Sequence, residues 1–216
     1  MSFPYRLLDD PETLASFEGW SREVYEDFLK IQRGELTESG FNEKYHWKKA
    51  ILSMDMTGFT STAMRRGEIN SLLRILDAQK VAIPVLQDCG AELIRCFADD
   101  IVALFDDPND AVDAALETHK RVRLFNQSEL ASEYPTLCCA GIGYGTVFRF
   151  GPNLAQGDEM NRASKLGEDI ARANETLITE RAFEAISDRD DLRFETQDQD
   201  DQLFPFYRVT RGDRDE

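Results

Sequence analysis

Apolar side chains fall at Leu14, Phe17, Val24, Phe28 and Leu29, a mostly helical spacing after Pro11, a residue suited to a first helical turn; this predicts an N-terminal helix within residues 10–32. The polar, glycine-containing stretch RGELTESGFNEKYH, residues 33–46, is expected to be a connector. A different rhythm follows. Residues 50–54 predict a short buried strand that runs into Asp55 and then the turn-forming loop Thr57-Gly58-Phe59-Thr60. Ile69, Leu72, Leu73, Leu76, Ile83 and Leu86 share one face of a long helix ended by Cys89-Gly90, and that face is expected to be buried, with Pro84 kinking the last turns.

Two short β-rich runs, AELIRCFA and DIVALF, are separated only by a tight acidic turn at Ala98, Asp99 and Asp100, which predicts a hairpin. Residues 108–128 repeat Ala111, Val112, Ala115, Leu116, Val122 and Phe125 at helical intervals. Beyond them, TLCCAGIGYG and TVFRFG predict a strand pair, EMNRASKLGEDIA a helix, ETLITERAFEAI a strand then a short helix, and LRFETQ with FPFYRVT a terminal hairpin. The order is β-α-β-β-α-β with additions, so the expected fold is α+β: a ferredoxin-like core with a β-rich C-terminal extension and an N-terminal helix. The corresponding divisions are a helical lead over 1–47, a domain over 48–211 and a tail over 212–216. The acidic segment SDRDDLRFETQDQDD is expected to be a solvated hairpin rim.

With 216 residues the chain is long enough for one ordinary domain with a helical appendage, not for two full domains. Its 42% hydrophobic and 31% charged residues are those of a folded soluble protein. Charge narrows the partners. Forty-one acidic against 25 basic residues give −16, a field that repels phosphate backbones and anionic membranes, so neither nucleic-acid binding nor membrane insertion is expected. No apolar run reaches a membrane span and MSFPYRLLDDPE lacks a signal-peptide layout, which predicts a cytoplasmic chain. Cys89, Cys96, Cys138 and Cys139 form no C-x-x-C and are expected to be reduced core residues. His46 and His119 are the only histidines, which excludes a three-histidine zinc site; both are expected on the surface.

Chemistry concentrates at Asp55, where the first strand ends, and Asp99, in the hairpin turn. In the expected sheet these ends are neighbours. Paired carboxylates without histidine suit hard, oxygen-seeking ions such as Mg²⁺ or Mn²⁺, and the amides of the loop through Phe59 and Thr60 suit a polyphosphate. Together they point to metal-assisted chemistry on a nucleotide-like substrate. The plainer alternative makes Asp55 a helix-entry residue and Asp99 a turn residue.

Residues 48–187 resemble the class III nucleotidyl cyclases, the catalytic domains of adenylate and guanylate cyclases. ILSMDMTGFTS is similar to the family's strand and first metal loop, AELIRCFADDIVALF to its metal-binding hairpin, AGIGYGTV to its GIHTGEV strand and GDEMNRASKL to its GDTVNLASRL helix. The resemblance implies the class III cyclase fold and two divalent ions, Mn²⁺ or Mg²⁺, held by Asp55, Asp99 and the carbonyl of Met56. It also implies that Asn161 orients the ribose, and that Lys165 stands where the family has a transition-state Arg, keeping the charge but not the planar fork. The family's Lys-Gly near the last hairpin has no counterpart; Arg149 and Arg193 are the candidate replacements.

By the same resemblance, Arg95 and Leu154 stand at the family's two base-reading positions. An Arg there offers only donors, which suits the carbonyl-rich edge of uracil and leaves the adenine amino group without an acceptor. In this respect the chain resembles the bare bacterial pyrimidine cyclases of antiphage defence, which make cyclic UMP or cyclic CMP as second messengers for a separate effector. UTP is the favoured substrate. The resemblance further implies a homodimer with composite sites, metals from one chain and Asn161 and Lys165 from the other. The alternatives are an adenylate cyclase and a catalytically inactive nucleotide-binding domain.

Overall fold

The computed structural model describes residues 5–17, 19–57, 67–131, 134–150, 155–197 and 203–212. The chain forms two compact units, Met1–Trp47 with Val147–Gly157, and Lys48–Thr146 with Asp158–Glu216.

In the first unit the helical lead resolves into α1 (Pro11–Ala15), α2 (Arg22–Gln32) and α3 (Glu38–Tyr45). The last of these corrects the expected connector. Thr37 caps it by accepting from the Gly40 amide at 3.1 Å, and it buries Phe41 and Tyr45, one turn apart. Phe41, Tyr45 and Phe150 share an apolar cluster with Trp20 and Phe28, so these rings pack within their own unit. Asp27 is buried beneath them and accepts from Lys30 Nζ, Lys44 Nζ and Tyr45 Oη at 2.8, 2.7 and 2.9 Å. Burial opposes its charge, yet these three bonds outweigh that cost and hold the carboxyl down at about 2.

The larger unit is built on β1 (His46–Met56), in which residues 49–54 are all buried, as expected of a strand covered on both faces. After α4 (Glu68–Asp88) come the hairpin strands β2 (Leu93–Phe97) and β3 (Asp100–Phe105), then α5 (Pro108–Asn126) and β4 (Cys138–Arg149). The two-residue β5 (Ala155–Gln156), which belongs to the first unit, pairs with the 148–149 end of β4, also in that unit. Next are α6 (Asp158–Ser164), which continues into a π-helical turn over Lys165–Ile170, and β6 (Thr176–Thr179). The chain closes with α7 (Glu180–Ile186), β7 (Leu192–Thr196) and β8 (Phe206–Arg211). The sheet order is β2-β3-β1-β4-β6-β8-β7. β1 and β2 both pair antiparallel with β3, whereas β4 and β6 are parallel.

Side-chain alternation divides the core. Ala50, Leu52 and Met54 join α4, α5 and α7 on one face, while Cys139, Leu166 and Leu177 form a second cluster on the other. Cys138 and Cys139 therefore look to opposite faces, and all four cysteines are free.

Three expectations are corrected here. The predicted strand pair over TLCCAGIGYG and TVFRFG is one continuous strand, β4. Its glycines make no turn. Gly141, Gly143 and Gly145 share a face against α6, where a Cβ at Gly141 would stand 2.1 Å from the Ala163 carbonyl oxygen and one at Gly143 2.6 Å from that of Glu159. Second, the first part of the α4 stripe is open to solvent, with Ile69, Leu72, Leu73 and Leu76 exposed at 69, 55, 45 and 49%, whereas Leu86 is buried as expected. Beside Leu86 the helix buries Ile75, Ala78, Ala82 and Val85, because its two alanines let it lie close on the sheet.

Third, His119 is 2% exposed, inside α5, with Nε2 3.1 Å from Thr176 Oγ1; His46 is exposed as expected. Burial, reinforced by Arg123, pushes the imidazole down to about 4. The unfolded chain therefore binds the proton first as pH falls. This stabilisation is complete above about 6.5, is lost as pH falls through about 4, and is worth about 3 kcal/mol. His119→Gln should flatten the pH dependence of unfolding free energy between those values by that amount; parallel denaturation profiles for the two chains would refute it.

Candidate functional site

The β1–β3 register, Met54 opposite Ile101, brings the exit of β1 and the tip of the β2–β3 hairpin to one end of the sheet. Phe97 pairs with Asp100, so the hairpin closes through only Ala98 and Asp99. Ala98 takes φ +51°, a left-handed conformation that favours glycine and costs a residue with a Cβ about 1 kcal/mol. Gln79 on α4 donates to its carbonyl at 3.3 Å. The outcome is a strained, tethered turn that carries an acidic residue to the end of β1.

Carboxylate oxygens of Asp55, Asp99 and Asp100 lie within 4.8 Å of one another. All three residues are half-buried. Asp55 Oδ1 accepts from the Met56 amide at 2.6 Å, which fixes its orientation. Burial pushes Asp55 up to about 6 against that bond, and the charges of Asp99, Asp100 and Glu168 push the same way. Asp100 is raised as well, by burial first and then by Glu168 and Asp99, with Arg95 opposing. Such crowding of anions is unfavourable in itself and is relieved by a cation. The donor set is all carboxylate oxygen, the choice of Mg²⁺ or Mn²⁺, and the Cys139 thiol donates to the Gly167 carbonyl at 3.0 Å. These residues fit a divalent ion.

Two residues of this cluster escape notice in the sequence. Asp100 adds a third carboxylate, and Glu168 arrives on the π-helical turn, where Ser53 Oγ donates to its Oε1 at 3.4 Å. Glycine packing makes that approach possible, since a Cβ at Gly167 would lie 2.5 Å from the Ser53 carbonyl oxygen. Met56 is buried beside Asp55 at the strand end. Arg95 is half-buried on β2 opposite Val102, and among the described residues no carboxylate closes an ion pair with it. Asn161 and Lys165 are exposed, one helical turn apart; Lys165 Nζ bonds Asp169 at 2.6 Å, and no described hydrogen bond joins either residue to the carboxylate cluster. Arg149 lies over the Trp47 ring at 5.4 Å, and Arg193 sits on β7 opposite Thr210. Phe59, Thr60 and Leu154 lie outside the described residues.

Solved structures with this fold are nucleotide cyclase domains. The adenylyl cyclase CyaB from P. aeruginosa superposes with a TM-score of 0.68 at 19% identity, covering 79% of this chain and 98% of that one. The adenylate/guanylate cyclase/hydrolase from Silicibacter pomeroyi gives 0.63 at 22% identity, covering 76% and 95%. The guanylate cyclase domain of RhGC from Catenaria anguillulae, solved with GTP, gives 0.64 at 16% identity, covering 77% and 98%. No protein-family model and no curated protein matches the sequence. The fold is thus that of the class III cyclase domain, as its motifs led one to expect. Among the described residues no helix is long and apolar enough to cross a membrane.

Proposed function

We propose that this chain is a nucleotidyl cyclase that converts a nucleoside triphosphate, preferentially UTP, to its 3′,5′-cyclic monophosphate and pyrophosphate. The observation that carries this reading is the convergence of Asp55, Asp99 and Asp100 at one sheet end of a cyclase fold. Asp55, Asp99 and the Met56 carbonyl hold the metal, with Asp100 beside them. Divalent ions bound there supply acidification of the ribose 3′-hydroxyl and neutralisation of triphosphate charge. The 3′-hydroxyl loses its proton to solvent, and a bond forms between the 3′-oxygen and the α-phosphorus while the bond from the α-phosphorus to the α,β-bridging oxygen breaks, releasing pyrophosphate.

The remaining roles belong to side chains. Asn161 of a second copy orients the ribose, and Lys165 opposes charge that develops on the α-phosphoryl oxygens. Both halves of such a site are present in one sequence, so the assembly is a head-to-tail homodimer. Ile69, Leu72, Leu73 and Leu76, together with Phe97 at 74% exposure beside the hairpin tip, give it an apolar surface to cover.

Arg95 supports the choice of base. It is half-buried next to the hairpin turn without a described ion-pair partner, and its donors match the uracil carbonyls; Leu154 adds no acceptor for a purine amino group. The product is a second messenger made in the cytoplasm for a separate effector in antiphage defence, a role supported by the sequence resemblance alone. The activities of the structural neighbours, adenylyl and guanylyl cyclases, make a purine the second reading.

Incubation with Mn²⁺ and each of ATP, GTP, CTP and UTP separates these readings. Cyclic UMP should form at least about tenfold faster than any other product. Exclusive cyclic AMP would establish the purine reading, and no product from any triphosphate would leave a nucleotide-binding domain.

A further inference from the structure

A cavity lies toward the other end of β1 from Asp55. Its volume is about 600 Å³, and Lys48, Tyr144, Thr146, Arg181, Glu184 and Ala185 line it. Lys48 precedes Asp55 by seven residues on one continuous strand, about 23 Å at the usual rise, so the cavity is separate from the carboxylate cluster.

Its chemistry runs against that of the chain, which carries a net −16. Lys48 places its ammonium 4.6 Å from the centroid of the Tyr144 ring and closes no ion pair among the described residues. Arg181 has a side chain 60% exposed, with Nη1 3.5 Å from Glu159 Oε1. Glu159 is itself 1% exposed and ties this region together: its Oε2 accepts from Thr179 Oγ1 at 2.7 Å and from the Tyr144 amide at 3.2 Å. Its Oε1 has no hydrogen-bond partner, only the guanidinium groups of Arg181 at 3.5 Å and Arg162 at 3.8 Å. A buried carboxylate left half-satisfied is costly, and here its effect is to hold Arg181 at the cavity wall. Gly145 makes room for the pair, since a Cβ there would meet Glu159 Cγ at 2.7 Å and Arg181 Nη1 at 3.5 Å.

We propose that this cavity is a second ligand site, for an organic phosphate of nucleoside-monophosphate size. Glu159 engages one corner of Arg181, and the remaining guanidinium donors present a fork to two phosphate oxygens. Lys48 adds a point charge that no described carboxylate pairs with, whereas Arg181 shares its charge with Glu159. Glu184 at the rim repels a longer polyphosphate tail and accepts from a ribose hydroxyl or a base N–H. Tyr144 and Ala185 supply the apolar wall for a planar base. Such a site would let a nucleotide act on the chain without entering the carboxylate site.

Calorimetric titration of the full chain in EDTA tests this, with uridine and adenosine 3′,5′-cyclic monophosphates, the 5′-monophosphates and inorganic phosphate as probes. At least one nucleotide should saturate one site per chain. Lys48→Met and Arg181→Lys should each weaken it by at least about tenfold, and Asp55→Ala should leave it unchanged. Lys48→Met keeps the aliphatic stem over Tyr144, so it remains informative even where Arg181→Lys disturbs the buried Glu159. The absence of saturable binding by every probe would overturn the proposal. So would binding abolished by Asp55→Ala but indifferent to both cation variants, which would assign the ligand to the carboxylate site. Inorganic phosphate binding as tightly as the nucleotides would overturn the nucleotide assignment.

Discussion

Asp55→Asn should abolish cyclase turnover, by at least about 10³-fold or about 4 kcal/mol of transition-state stabilisation, while raising the melting temperature measured in EDTA by about 2–4 °C. The two effects have opposite signs for one reason. Asp55 is forced, half-buried, against Asp99, Asp100 and Glu168, and its upward shift to about 6 reports how poorly the fold tolerates that charge without a counter-ion. Asparagine keeps an oxygen to accept the Met56 amide, bonded at 2.6 Å in the native chain, so the strand end retains its geometry while one repulsive charge disappears. A residue serving only the fold would lose stability on substitution. Mn²⁺ adds a second reading, since it should raise the melting temperature of the native chain and do little for the variant. Undiminished pyrophosphate release from UTP by Asp55→Asn would remove the metal role altogether.

The parts of the molecule legible in the sequence are those where one periodicity operates over a full element. The β2–β3 hairpin, α5 and the β7–β8 hairpin alternate or repeat cleanly, and each stands where the pattern puts it. Asp55 and Asp99 were legible for a related reason: sheet topology alone decides that the ends of β1 and the hairpin meet. Where one residue type serves two purposes the pattern misleads. Gly141, Gly143 and Gly145 resemble turn residues but provide the groove in β4 that admits α6, which hid a continuous strand. The large aliphatics of α4 outweigh its alanines in any hydrophobic count, yet Ala78 and Ala82 select the buried face because close packing needs small side chains. Phe41 and Tyr45 make a single apolar pair, too little periodicity to announce α3. Asp100 joins Asp99 only through the positive φ of Ala98, and Glu168 only through a π-helical turn. Local backbone geometry of that kind leaves no trace in side-chain alternation.

Mixing Asp55→Ala subunits with Asn161→Ala subunits should restore cyclase activity that neither possesses alone. The ground for this is that one sequence carries both halves of a composite site: Asp55 converges with Asp99 and Asp100, whereas Asn161 and Lys165 are exposed and make no described hydrogen bond to those three. Each variant homodimer has two crippled sites. In a head-to-tail heterodimer, one site combines the intact carboxylates of the Asn161→Ala chain with the intact Asn161 of the Asp55→Ala chain, and the other gathers both lesions. Random reassociation of equal amounts makes half the dimers mixed, each with one working site, so the recovered rate should approach about a quarter of native. Dilution should reduce that recovery along with dimer content, as mass action requires. A mixture as inactive as its components, measured where native chains are dimeric, would assign Asn161 to the same copy as the carboxylates it serves or deny it a part in turnover.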